Sequence, residues 1–339
     1  MNSSNFTKLI SVLLPTIALL VVVMFINDYW LRILTMIAIN IILAASLRLS
    51  LVAGMFNMGQ IAFYAIGAYS SMMLITKLNI SFWIALPLSG ILAVLFAFFL
   101  GVITTKVKGF YFCMLTLAFV EFIRLAILAI PALGANNPVT IPSPNPIIIP
   151  HVLTLNFVSN LSNCYLAIIL LAIVLAILYR IEKSQMGTIL KSLGINEDLA
   201  ESFGADTRKY RVMAFCLSSF FAGIAGSFYA SYVTIIGPSF FTVLASVIIL
   251  MTVFIGGINS FWGPIIGAVI LTLLPQLLRM TSTVQLQPTI YAVCLILVIF
   301  LMPNGLVSAL KLIYNKIPAK VKKRLPRLPS EPKVTDYTA

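Results

Sequence analysis

An all-α, polytopic helical membrane protein of about ten transmembrane segments, with both termini cytoplasmic, is the fold class that three features of the sequence predict. Mean hydropathy is +1.08 over 339 residues, of which 61% are hydrophobic and only 9% charged. The apolar residues come in repeated runs, most of them 15–22 residues long, without the strand alternation of an outer-membrane barrel. The cations are divided very unequally between the two sides that these runs define.

Taken in order, the candidate spans are Leu9–Ile26, Ile33–Ala53, Ile61–Ile75, Phe82–Ile103, Phe110–Ile130, Leu161–Tyr179, Val212–Val233, Phe240–Ile255, Pro264–Leu278 and Ile290–Met302. The first has one upstream cation (Lys8), Pro15 in its middle and no small-x-small cleavage pattern, so it reads as an uncleaved span rather than a signal peptide. Ile61–Ile75 and Phe240–Ile255 are short for a full crossing, a length that broken or re-entrant helices share. Ten spans put both termini on one side. If that side is cytoplasmic, its loops and tails hold 18 of the 22 Lys and Arg. They are Lys8, Arg48, Lys106, Lys108, six cations between Arg180 and Arg211, and eight between Lys311 and Lys333. The outer side holds Arg32, Lys77 and Arg279, and the uncharged linker Pro131–Asn160. Such an asymmetry identifies the cytoplasmic face. Residues 1–303 thus form the membrane domain, with a cytoplasmic loop at 180–211, and residues 304–339 form a basic cytoplasmic tail. Much of the net charge of +13 sits in that tail, as expected beside anionic membrane lipid, and gives no reason to invoke nucleic acid.

Several chemistries are excluded. Cys113, Cys164, Cys216 and Cys294 fall in or beside apolar runs without metal spacing, and read as small core residues. The sole histidine, His151, lies in the uncharged linker, so neither a histidine-based catalytic pair nor a zinc site is available. No phosphate-cradling G-x-x-x-x-G-K-[ST] loop occurs, so if ATP is used another chain supplies the site, and no metal or cofactor is expected here. Clustered carboxylates and nucleophile constellations are missing too, which argues against a membrane enzyme.

The charges that remain are concentrated. Arg180 to Arg211 collects eleven of them, more than a passive connector needs. Within it, Ile195–Phe203 is bounded by Gly194 and Gly204, and the spacing predicts a short helix. Asn196 is the candidate N-cap, with Glu197 and Asp198 in the first turn, where carboxylates suit the helix dipole. Ile195, Leu199 and Phe203 recur every fourth residue as one apolar ridge, with Glu197, Asp198 and Glu201 directed elsewhere. So short a helix needs support. Two readings stand at this point: a helix lying on lipid or on its own bundle, or a peg that docks into another protein.

Deep in the spans the charged candidates are Glu121 and Arg124, three apart on one helix face. At 1.5 Å per residue from Phe110, Glu121 lies roughly 16 Å in, near the bilayer centre. The pair reads first as mutual neutralisation that fixes helix rotation, with contact to a zwitterionic solute or proton coupling as alternatives. Ala222, Gly226 and Ala230, and the pair Gly263 and Gly267, carry the spacing of close helix contact. Glycines and amides at Gly54–Gln60 and Gly256–Ser260 offer bends with exposed backbone groups, which makes Asn57, Gln60, Asn259 and Ser260 candidates for a solute path.

These residues carry a resemblance. Gly59-Gln60-Ile-Ala-Phe-Tyr-Ala-Ile-Gly67-Ala68-Tyr69 is similar to G-H/Q-A-A-F-x-x-I-G-A-Y of the Liv-type branched-chain amino-acid ABC importer permeases. Lys108 to Leu125 resembles that family's R-G-x-Y-F-x-x-x-T-L-A-F-x-E-x-x-R-L, and Gly256 to Ala268 its G-G-x-G-S-x-W-G-P-x-x-G-A. Pro303-Asn-Gly305-Leu306 resembles its closing P-x-G-L, so the likeness runs from about Ala38 to Leu310. The resemblance implies a non-catalytic subunit in the bacterial inner membrane. It implies pairing with a homologous permease subunit, two cytoplasmic ABC ATPase subunits and a periplasmic solute-binding protein. It also implies that the 180–211 loop carries the coupling helix, with Ile195, Asn196, Glu197, Asp198, Leu199, Glu201, Phe203 and Gly204 seated in the ATPase. Asn57 stands where a serine is usual and Asn259 where a glycine is usual, and Gly134–Pro142 replaces a glycine-rich pattern. These departures leave the solute open among branched-chain amino acids, other aliphatic amino acids, urea and short amides. A carrier working alone on an ion gradient is the alternative from a different class.

Overall fold

The computed structural model describes residues 27–279, apart from 105–108, 136, 143, 145–146, 150–152, 156–158 and 203. The expected first and tenth spans, His151, Lys106, Lys108, Cys294, the Pro303–Leu306 motif and the basic tail lie outside the described residues.

Eight of the ten expected spans coincide with helices. They are α1 (Asp28–Val52), α2 (Gln60–Thr76), α3 (Phe82–Thr104), α4 (Phe110–Ala129) and α5 (Asn160–Lys183). After two short helices, α6 (Gln185–Ile195) and α7 (Glu197–Ser202), come α8 (Thr207–Val233), α9 (Val243–Gly256) and α10 (Gly263–Arg279). Among the described residues six helical segments are long and apolar enough to cross a membrane, while Gln60–Thr76 and Gly263–Gln276 are shorter. At 1.5 Å per residue α2 spans about 26 Å, a little less than the bilayer core, and it is a single unbroken helix. The eighth expected span is interrupted: a 3₁₀ turn at Pro238–Phe240 precedes α9, whose cap is Thr242, the side chain of which accepts from the Ala245 N–H at 3.4 Å.

The centre is built from α1, α2 and α8, with α3 packed on α2 and α8, α5 on α1, α4 on α2, and α9 and α10 together on α1. Close approach is what the glycines provide. A Cβ at Gly67 would fall on the Gly223 carbonyl, and one at Gly226 on the Tyr64 carbonyl, so α2 and α8 touch backbone to backbone. Gly223 also faces α3, where an added Cβ would stand 2.7 Å from the Ala93 Cβ. Gly263 and Gly267 meet the Gly257 and Thr252 carbonyls of the preceding α9 segment in the same manner. Phe215 fills the middle, edge-on to Phe63 at 5.2 Å and to Phe112 at 5.9 Å.

The helices alternate in direction, so their connections gather at two ends. One end holds Gly54 against Gly194, and the Arg208 guanidinium donating to the Val102 carbonyl at 3.2 Å. At the other, Val139–Thr140 (β1) pairs antiparallel with Ile235–Ile236 (β4), and Ile147–Ile149 (β2) pairs with Leu153–Leu155 (β3). The linker therefore carries short strands that its sequence did not signal.

Candidate functional site

Charged side chains collect at the first of these ends, where α5 turns sharply into α6. Only Ser184, in extended conformation, separates the two helices, and a Cβ at Gly187 would strike the Glu182 carbonyl. Gly187, Leu190 and Leu193 bury one face of α6. A second break follows at once. Asn196 is extended (φ −153, ψ 113), and α7 begins at Glu197 with the Asn196 carbonyl accepting the Ala200 N–H at 3.2 Å.

That break falls at the expected cap, Asn196, with Glu197 and Asp198 in the first turn of α7, and corrects the expected helix Ile195–Phe203 at its start. Ile195 ends α6 instead of opening the next helix, so Ile195 and Leu199 do not form one continuous ridge. Ile195 stands 86% exposed. Leu199 lies within α7, and Phe203 falls outside the described residues. The acidic residues divide. The Glu197 carboxylate accepts from Arg211 at 2.8 Å and Glu201 accepts from the Thr207 hydroxyl at 2.7 Å, both toward the start of α8. Asp198 is exposed, and Gly204 turns the chain with φ 82. Ala200 of α7 is buried. The corner is thus pinned inward by its carboxylates and presents Ile195 and Asp198 outward.

Arg48 departs furthest from its sequence reading as a loop cation. It lies within α1, is 5% exposed, and is paired bidentately with Glu182 of α5: Nη1 to Oε2 at 2.7 Å and Nη2 to Oε1 at 3.1 Å. Its Nε donates to the Ile258 carbonyl in the α9–α10 turn at 2.6 Å, and the guanidinium lies 6.0 Å from the Phe261 ring centroid. Lys191 of α6 completes the group, 2.8 Å from Glu182 Oε1. Four segments meet at one carboxylate and one guanidinium. The available signal was Arg48 itself, a cation within the span Ile33–Ala53 that needed a partner.

The amide candidates are interior. Asn57 and Gln60 are 0% and 1% exposed. The Gln60 amide donates to the Ser46 hydroxyl at 2.8 Å and accepts from the Ser218 hydroxyl at 3.0 Å, joining α1, α2 and α8. Asn57 accepts from the Gly59 N–H at 2.7 Å and donates to Gln60 at 3.3 Å. Gln60 is satisfied by neighbouring helices and Asn57 by the adjacent Gly59 and Gln60, as buried polar groups require. Ser260 is nearly buried and Asn259 exposed in the α9–α10 turn, at the same end as Arg48.

Glu121 and Arg124 are brought together as a bidentate pair on α4. Their side chains remain 39% and 28% exposed, beside exposed Phe122 and Leu125. By contrast, the exposed residues of α3 between Ile84 and Ile103 are all apolar, as are Ile169, Ile173 and Ile177 on α5. Only α4, among the described helices, carries charge at mid-depth on its outward face.

A family model described as "Branched-chain amino acid transport system / permease component" matches residues 29–302. The chain is 28% identical over 271 residues to the high-affinity branched-chain amino acid transport system permease protein LivM of Escherichia coli, and equally to that of Salmonella typhimurium. Each alignment covers 72% of this chain, which spans 62% of the length of the relative. No solved structure matches.

Proposed function

The chain belongs to the branched-chain amino acid transport permease-component family, and from that membership we propose that it is the membrane subunit of an ATP-driven, binding-protein-dependent importer in the bacterial inner membrane. Branched-chain amino acids, for which the transport systems of its relatives are named, are the proposed cargo. A second, homologous permease subunit completes the path, two cytoplasmic ATPase subunits supply the work, and a periplasmic protein delivers the solute. The chain itself contributes no nucleotide site or cofactor. Ten spans with both termini cytoplasmic remain the proposed topology, with the Arg48–Arg211 end inward on the strength of its cations.

The observation that carries this reading is the corner formed by α6 and α7. It is anchored to the bundle through Lys191–Glu182 and Arg211–Glu197 while leaving Ile195 86% exposed. An aliphatic side chain standing clear at a charged cytoplasmic corner suits insertion into a cleft of the ATPase, and the anchoring pairs suit transmission of its displacement. The exposed Glu121–Arg124 pair supports a path along α4 shared with the second permease, because a charged pair at mid-depth calls for a polar or protein neighbour rather than lipid. Asn57 and Gln60, bonded within the core, are proposed as the frame behind that path.

Co-purification tests the coupling reading. Wild-type protein extracted in mild detergent should retain both ATPase subunits, and Ile195→Asp should lose them while its thermal unfolding stays unchanged, since the side chain makes no interior contact to lose. Retention at the wild-type level would remove the corner from the coupling role. Solute uptake by this chain alone, insensitive to ATP, would instead point to a carrier driven by an ion gradient.

A further inference from the structure

We propose that Arg48 is a positioning residue for transport: through it, displacement of the cytoplasmic helix α6 reaches the α9–α10 turn and the central helix α1. The inference rests on the importer reading above and goes beyond it by naming the joint. The peg explains how force arrives at α6, which itself meets α1 and α8, as where Gly194 abuts the Val52 carbonyl; what Arg48 adds to those contacts is a hold on the α9–α10 turn.

The chain of contacts is short. Lys191 of α6 grips Glu182 Oε1 at 2.8 Å, and Glu182 in turn holds both Nη atoms of Arg48 at 2.7 and 3.1 Å. Arg48 passes the linkage on through its Nε to the Ile258 carbonyl at 2.6 Å, and its guanidinium lies over Phe261. Directionality follows from burial. Arg48 is 5% exposed and the Glu182 side chain 14%, so their mutual geometry is stiff, whereas the Lys191 side chain is 47% exposed. The inner pair therefore moves as a unit, and the outer contact is the one that can form and break. Rotation of α6 about Ser184, the one non-helical residue between α5 and α6, changes the Lys191–Glu182 distance first. The planar guanidinium then relays that change to α9–α10, because only an arginine can hold a carboxylate with two nitrogens and a carbonyl with a third.

Two substitutions test this without dismantling the fold. Arg48→Lys keeps the buried charge beside Glu182 but cannot also reach the Ile258 carbonyl, and Lys191→Ala removes an exposed side chain. The wild-type complex, reconstituted with its ATPase subunits and solute-binding protein, is first assayed for ATP-dependent leucine uptake. Failure there counts against the importer reading itself. In each variant the ATPase subunits should co-purify as in wild type and ATP hydrolysis should continue. Leucine moved per ATP should fall about ten-fold, inside the roughly 5–150-fold range of coupling between sites. Lys191→Arg, which preserves the pairing, should keep the wild-type ratio. An unchanged leucine-to-ATP ratio in both Arg48→Lys and Lys191→Ala overturns the proposal. So does a loss of protein or assembly with a normal ratio in the complex that survives, since that is what a merely structural pair would give.

Discussion

Removing the two partners of the Arg48–Glu182 pair should have unequal consequences, and removing both should cost less than the sum. Glu182→Leu strips a 5%-exposed guanidinium of both carboxylate bonds and leaves it only the Ile258 carbonyl and the Phe261 ring. Breaking a buried pair in this way costs about 3–5 kcal/mol, because the surviving charge stays desolvated. Arg48→Met leaves Glu182 with Lys191 at 2.8 Å and deprives the Ile258 carbonyl of its donor. The carboxylate is then still compensated, so the loss should be smaller, about 2 kcal/mol. In the double variant no buried charge remains. Met and Leu would enter surroundings that already include Ala45, Leu49, Leu178, Leu190 and Phe261, leaving chiefly the orphaned Ile258 carbonyl, about 1–2 kcal/mol. The expected interaction energy is therefore about 3–6 kcal/mol, at or above the upper end for contacting residues. Equilibrium unfolding in mixed micelles, driven by added SDS and followed by circular dichroism, measures all four proteins. Equal single losses that simply add would show that Arg48 and Glu182 do not share a desolvated site, and the reasoning would be refuted.

Other perturbations read other parts of the molecule. Gly223→Ala would put a methyl 2.7 Å from the Ala93 Cβ, against an optimal carbon separation of about 3.5–4.0 Å. The resulting overpacking between α3 and α8 should lower stability by about 1–3 kcal/mol in the same unfolding assay. Gln60→Leu leaves the buried Ser218 hydroxyl and the Asn57 amide without that partner, and should cost about 1–3 kcal/mol for each group so orphaned. On α4, Glu121→Leu should reduce the yield of folded protein by leaving Arg124 uncompensated at mid-depth. The double variant Glu121→Leu/Arg124→Leu should restore yield without restoring uptake, and wild-type uptake by that protein would exclude the pair from the path.

Both the legible and the illegible parts of this molecule have one physical origin. Lipid offers no partner to a backbone N–H or carbonyl, so each apolar run must be helical; the eight expected spans from Ile33 to Leu278 could be read as helices one at a time. The clustering of cations and the small-residue spacings at Gly226, Gly263 and Gly267 were equally local. Three things were not. The cap at Asn196 was legible, but Ile195 before it was counted with Leu199 and Phe203 because helical spacing runs on across the one extended residue. Asn57 and Gln60 were read as path residues because glycines and amides before a span allow a bend with exposed backbone groups, a pattern that does not say whether the Gln60 amide meets solute or the Ser46 and Ser218 hydroxyls. Arg48 found its carboxylate 134 residues away. In water, a helix betrays its inner face by its apolar stripe. In a bilayer the lipid face and the packed face are both apolar, so outside small-residue stripes such as Gly263 and Gly267 the sequence by itself determines that a helix crosses, and only the tertiary structure decides which side of it meets another helix.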